Sequence, residues 1–207
     1  MFKRFKGKEH IKGITQVKSS TQKILRAKIV ECYPSLEPLM SEIFPKKSHL
    51  TLVKCEERIC LYALNNEILF FQISEVIYPH LKLLHKYPDV FLKVQADKGV
   101  IKSILSGANL MCPGLTSKGG YCPENIEVEN VVAIMIEGKE HAIAVGMAKM
   151  SSNDIKSINK GIGIENIHYI GDNLVIIYEI RLICLYVVVE FGIRLTVCIL
   201  ETFVSYK

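Results

Sequence analysis

Paired cysteines are missing from this sequence. The seven that occur (Cys32, Cys55, Cys60, Cys112, Cys122, Cys184 and Cys198) are odd in number and form no CxxC or CxC pair. That pattern speaks for reduced thiols, against a secreted disulfide framework and against a zinc ribbon. No GxxxxGK[ST] stretch is present, which excludes a P-loop, and "GIGIEN" (161–166) lacks the third glycine of a dinucleotide fingerprint and follows a helical stretch. No His, Cys, Asp or Glu cluster has metal-ligand spacing, so the expectation is a chain with no metal and no cofactor. The basic start "MFKRFKGKEHIKG" is followed by no apolar run of the kind a secretory signal needs. Repeats and low-complexity tracts are also lacking, and the 207 residues are enough for one or two domains with real cores.

Positive charge is present, but it is concentrated. The first 28 residues hold nine Lys/Arg against a single acid, Glu9, which is +8, while the whole chain carries +5 and the remainder therefore −3. A basic end of this kind fits a polyanion such as RNA, because neutralising phosphates releases counterions. It equally fits a solvated helix face.

Apolar spacing then divides the chain. Ser19 and Gln22 fit a capping box, followed by a helical stripe at Leu25, Ile29, Cys32 and Tyr33 that Pro34 ends. Leu36, Leu39, Met40 and Ile43 repeat that spacing, with Pro38 in a tolerated first turn and Pro45 as the stop. "HLTLVKC" and "RICLYALNNEILFFQI" read as strands, the second pair joined at Asn65-Asn66, and "YPHLKLLHKYP" as a short helix between prolines. A compact α+β unit therefore runs to about residue 88. Beyond it, Asp97 is placed to cap a helix whose Ile101, Ile104 and Leu105 face inward, with Gly107 as its stop. Strands flank Gly138-Lys139, a short helix "SSNDIKSINKG" stops at Gly161, and "IGIENIHYIGDNL" is a strand that turns at Gly171-Asp172. Many short strands, one helix after the first of them and glycines at corners predict a small mixed barrel.

The stretch "LSGANLMCPGLTSKGG" (105–120) admits two readings. Cys112 with His141 or His168 and Asp172 makes a thiol triad on paper. A nucleophilic thiol needs a helix N-terminus or a cationic neighbour, whereas Cys112 follows "NLM" in an expected strand, so a buried small hydrophobe is the better reading. The glycines at 107, 114, 119 and 120 allow close backbone approach, and beside Lys98 and Lys102 they suit a phosphate backbone. Tight turns of a small barrel explain them equally well.

The same stretch carries a resemblance. "DKGVIKSILSGANLMCPGL" resembles the opening of a PUA domain, an RNA-binding pseudobarrel, and "VVAIMIEGKEHAIAVGMAKMSSNDIKSINKGIGIENIHYIGD" resembles its continuation. With "MFKRF", "PKK", "LFF" and "YPHLKLLHKYP", residues 1–174 resemble the malignant T-cell-amplified sequence family. The resemblance implies a pre-PUA α/β domain (1–92), a PUA domain (93–174) and a divergent apolar extension (175–207). It implies a non-enzymatic, cytoplasmic translation factor that pairs with density-regulated protein, the two corresponding to the ends of ligatin. Such a factor would bind small ribosomal subunit RNA and the tRNA acceptor region, and act in reinitiation, in P-site tRNA recruitment or release, and in recycling. The RNA-facing residues it implies are Lys98, Gly99, Lys102, Gly107, Ala108, Asn109 and Gly114, with Cys112 packing behind them. An accessory subunit of an RNA-modification enzyme and a protein-interaction scaffold are the alternatives.

One segment departs from that family. From Leu174 to Lys207, 24 of 34 residues are apolar and six are charged. Glu179, Arg181, Glu190 and Arg194 interrupt it, so the longest uncharged stretch, Leu182 to Val189, is far too short to span a membrane. The expectation is an alternative or misassigned C-terminus, with extra docked strands as the second reading and the closing strand of the barrel in question.

Overall fold

The computed structural model describes Phe2, Phe5 and residues 7–45, 48–65 and 67–176. Of the extension expected at 175–207, residues 177–207, and the readings above that rest on them, lie outside the described residues. Asn66 of the expected hairpin does too.

The first half is a five-stranded antiparallel meander, β1 (Ile11–Gln16), β2 (Leu50–Cys55), β3 (Ile59–Leu64), β4 (Glu67–Ile73) and β5 (Val76–Pro79), in sequence order. A one-turn helix, α1 (Gly7–His10), precedes it, and α2 (Ser19–Cys32) packs across one face. The "LFF" run shows how alternation builds two layers from one strand. Phe70 sits under the helical side, stacked with Phe44 at 5.8 Å and beside Tyr33 at 6.4 Å. Its neighbour Phe71 takes the opposite face, stacked on Tyr78 at 5.3 Å and met edge-on by Phe2 at 5.3 Å. Pro34 ends α2, and the next helical stripe is a 3₁₀ turn (Pro34–Leu39) running into α3 (Met40–Ile43), with Leu36, Met40 and Ile43 buried.

The second half is a sheet of order β6-β8-β9-β10-β7: β6 (Lys93–Ala96), β7 (Leu110–Met111), β8 (Val131–Ile136), β9 (Ala144–Ala148) and β10 (Ile162–Tyr169). Strand β6 runs parallel to β8; the other pairs are antiparallel. Helix α4 (Leu81–Lys86) packs against β4 of the first sheet, with Leu81, Leu83 and Leu84 in its core. Three short helices join the second half, α5 (Ile101–Leu105), α6 (Cys112–Thr116) and α7 (Ser152–Ile158), and α8 (Asn173–Ile176) follows β10. Two cores result. Val94, Ile104, Leu110, Cys112, Leu115, Ile134 and Ile164 fill the interior of the second unit. Ala133, Val145 and Ile167 leave its other side and join the core of the first sheet. Tyr78 Oη reaches Met147 Sδ at 3.5 Å, and His85 Nε2 meets the Ala142 carbonyl at 2.7 Å. The halves thus share a seam of apolar and polar contacts.

Several local expectations change. No capping box forms: α2 starts after Lys18 without a side-chain cap, and Gln22 is buried and donates to Ser48 Oγ at 3.2 Å instead. Cys32, expected on the inward stripe, is exposed, because the helix ends there and Tyr33 takes the buried position. Leu105 is 39% exposed, since of α5 Ile104 alone is fully buried and Ile101 packs partly against the same core. After α7 it is Asn159 (φ 46°) rather than Gly161 that takes the left-handed cap, two residues earlier. Among the described residues no helix is long and apolar enough to cross a membrane.

Candidate nucleic-acid interface

The loop "ADKGVIKSIL" becomes one continuous turn of helix because Asp97 organises it. Its Oδ1 accepts from the Gly99 N–H at 2.7 Å, capping a 3₁₀ turn (Lys98–Val100) that runs into α5. Its Oδ2 accepts from Ser117 Oγ at 3.0 Å, and its own N–H donates to the Gly114 carbonyl at 3.2 Å. The helix start is therefore tied to the middle of α6 and to the residue that ends it, and it holds Lys98 and Lys102 outward, one turn apart. Lys98 is 66% exposed and 4.0 Å from Glu137 Oε2, an exposed pair worth little. Lys102 is exposed with no carboxylate partner among the described residues.

The next segment folds back beside it. Gly107 has φ 88°, and a Cβ there would sit 3.2 Å from the Tyr169 ring, so two separate constraints select glycine. Ala108 is exposed and Asn109 half-buried. Lys98, Gly99, Lys102, Gly107, Ala108 and Asn109 thus line a helix and the turn after it. Gly114 does not share that surface. It is buried in α6, where a Cβ would lie 2.9 Å from Leu110 Cδ1 and 3.2 Å from Val100 Cγ1, so its smallness lets α6 pack beneath the 3₁₀ turn. Two cations escaped the sequence reading, the exposed Lys118 and Lys139. They adjoin Gly119 and Gly138, the glycines packed against Glu137 and Lys98, and their signal was the Gly-Lys and Lys-Gly pairs read only as turns.

The thiol triad is not brought together. Cys112 opens α6, a helix rather than the expected strand, because Pro113 suits a first helical turn. Yet it is fully buried, with Sγ 3.6 Å from Met150 Sδ and from the Lys160 carbonyl, and burial raises the thiol pKa above its ordinary value. The expected packing role stands on burial. His168 belongs to the other core, against Phe71, Phe2 and His80, with Nδ1 2.8 Å from Asp172 Oδ2. His141 is exposed beside His85. Among the described residues no three His, Cys, Asp or Glu side chains are placed to hold a metal ion.

Residues 5–88 match the family described as "Pre-PUA-like domain", and residues 82–173 match "elF2D, PUA domain". Translation machinery-associated protein 20 of Schizosaccharomyces pombe is 54% identical over 175 residues, 84% of this chain and 97% of that protein. Malignant T-cell-amplified sequence 2 of mouse is 49% identical over 84% of this chain and 96% of its own length.

The chain belongs to the malignant T-cell-amplified sequence family.

Its α+β architecture is accordingly that family's, a pre-PUA domain carrying the first sheet and a PUA domain carrying the second. Two archaeal structures share the fold. A protein of Pyrococcus horikoshii superposes with TM-score 0.65 at 21% identity, covering 78% of this chain and 97% of its own. A PUA domain protein of Thermoplasma acidophilum gives 0.59 at 20% identity, covering 80% and 99%. Within the family frame, the lysine-bearing helix and the Gly107 turn are the opening of the PUA domain.

Proposed function

We propose that this family member is a non-enzymatic cytoplasmic translation factor that binds small ribosomal subunit RNA and the tRNA acceptor region. It acts with density-regulated protein in reinitiation, in recruiting or releasing P-site tRNA, and in recycling the subunit after termination. The reading is supported most by 54% identity to translation machinery-associated protein 20 over 175 residues, 97% of that protein. We place the division of labour near residue 92: the unit 1–92 docks on the subunit or the partner, and 93–174 takes RNA.

The chemistry of the face fits that role. Lys98 and Lys102 supply charge without a strong intramolecular partner, and the Gly107 turn offers backbone close to the surface. Such a face reads phosphate and shape rather than catalysing a reaction. Substituting Lys98→Glu and Lys102→Glu together should lower affinity for deacylated tRNA and flatten its salt dependence, with the unfolding midpoint unchanged because both side chains are exposed. Unaltered affinity in the folded double variant would contradict the assignment of this face.

A further inference from the structure

Directly behind the turn lies Asn166 of β10, a polar side chain that is only 5% exposed. Its Nδ2 donates to the Ile104 carbonyl at 2.9 Å and to the Ala108 carbonyl at 3.1 Å, spanning the end of α5 and the turn. In return its backbone N–H donates to Asn109 Oδ1 at 3.0 Å. The β10 register shifts between Asn166 and His168, so two side chains that would share a face in a regular strand serve different faces. Asn166 reaches the turn while His168 enters the seam between the halves.

These partners settle the orientation of both amides. Carbonyl oxygens only accept, so the nitrogen of Asn166 must face Ile104 and Ala108. A backbone N–H only donates, so the oxygen of Asn109 must face Asn166. Two consequences follow. The Asn166 oxygen is left buried without a hydrogen-bond partner, an unfavourable state that an apolar residue would avoid if the position only had to fill space. The Asn109 nitrogen is turned away from β10 and has no partner among the described residues.

We propose that Asn166 is the positioning residue of the RNA-facing turn: it clamps residues 104–109 and holds Asn109 with its Nδ2 outward, as a donor to an acceptor atom of the bound RNA. This rests on the reading of that face as an RNA interface. The lysines supply attraction at a distance; the clamped amide supplies a directional hydrogen bond whose geometry is set before RNA arrives, so little ordering entropy is lost on binding.

The test uses the full chain and deacylated tRNA, with affinity measured by fluorescence anisotropy at several salt concentrations and the Asn166 amide followed by NMR hydrogen exchange. Asn109→Asp keeps an oxygen toward Asn166 and exchanges the outward nitrogen for oxygen, so slow exchange should persist while affinity falls about tenfold or more. Asn109→Leu removes both functions and should lose affinity and amide protection together. Asn166→Leu should loosen the turn and weaken binding while retaining the wild-type salt slope, since no lysine is touched. The Asn109 variants sit at a half-buried surface position and decide the matter even where Asn166→Leu fails to fold. Wild-type affinity in Asn109→Asp, or fast exchange of the Asn166 amide in the wild type, would overturn the proposal alone. A wild-type chain that does not bind tRNA would overturn the RNA reading and this proposal together.

Discussion

His80 shows how one side chain can carry a measurable property of the fold. It caps α4, its Nδ1 accepting from the Lys82 N–H at 3.2 Å, yet it is 2% exposed and lies 4.8 Å, ring to ring, from His168. Burial above all, followed by His168, Lys82 and His85, holds its pKa well below the ordinary imidazole value. Below about pH 6.5 the unfolded chain takes up a proton that the folded chain refuses, so this group's contribution is full above that pH and is lost as pH falls. The slope is up to about 1.4 kcal/mol per pH unit for one proton. His80→Asn keeps a capping oxygen and cannot titrate, so its stability should vary less between pH 6.5 and 5 than the wild type's. Urea unfolding at several pH values measures this, and parallel pH profiles would contradict it. Nothing in the local sequence "YPHLKLL" announces the behaviour, because it comes from burial in the core and, after that, from a histidine 88 positions away.

At the scale of elements, the turn after α5 is the most exacting. Gly107→Ala places a Cβ at φ 88° against the Tyr169 ring, which should cost about 1–3 kcal/mol. A lower urea midpoint with an unchanged m value is the expected result; an unchanged midpoint would show that the turn relaxes freely. Glycine as a helix stop was legible here, since its positive φ is a local property of the backbone, and so was the β3–β4 hairpin, where Asn65 takes φ 49°. Other elements were not legible. Strand β1, "IKGITQ", has a glycine in its middle and a register shift between Ile11 and Gly13, and owes its existence to pairing with β2. Strand β5 ends in Pro79 just before α4, so "VIYP" reads as a helix approach rather than an edge strand. Helix α6 was hidden by "CPG", a turn signal by composition that becomes a helix start once Asp97 and Leu110 pack against it.

The candidate site divides in the same way. Lys98 and Lys102 were legible because helical spacing alone puts them on one face. Gly114 was identified as a working glycine, and it works by letting α6 pack rather than by lining the surface. Asn166 was invisible in "IGIENIHYIGD", since its role depends on carbonyls some 60 positions earlier in the chain.

Across the whole molecule, the two sheets act together. Phe71 of the first sheet contacts Phe2, Tyr78 and His168, while Ala133, Val145 and Ile167 of the second sheet complete the same core. This seam joins the PUA domain that carries the lysine face to the pre-PUA domain, an arrangement that suits the proposed role. The most direct test of the proposed role is sedimentation of the full chain through sucrose with purified small ribosomal subunits, with and without density-regulated protein. The account predicts co-sedimentation that weakens as salt rises and that the Lys98→Glu, Lys102→Glu double variant loses in part. A folded chain that stays at the top of the gradient in both conditions would contradict it.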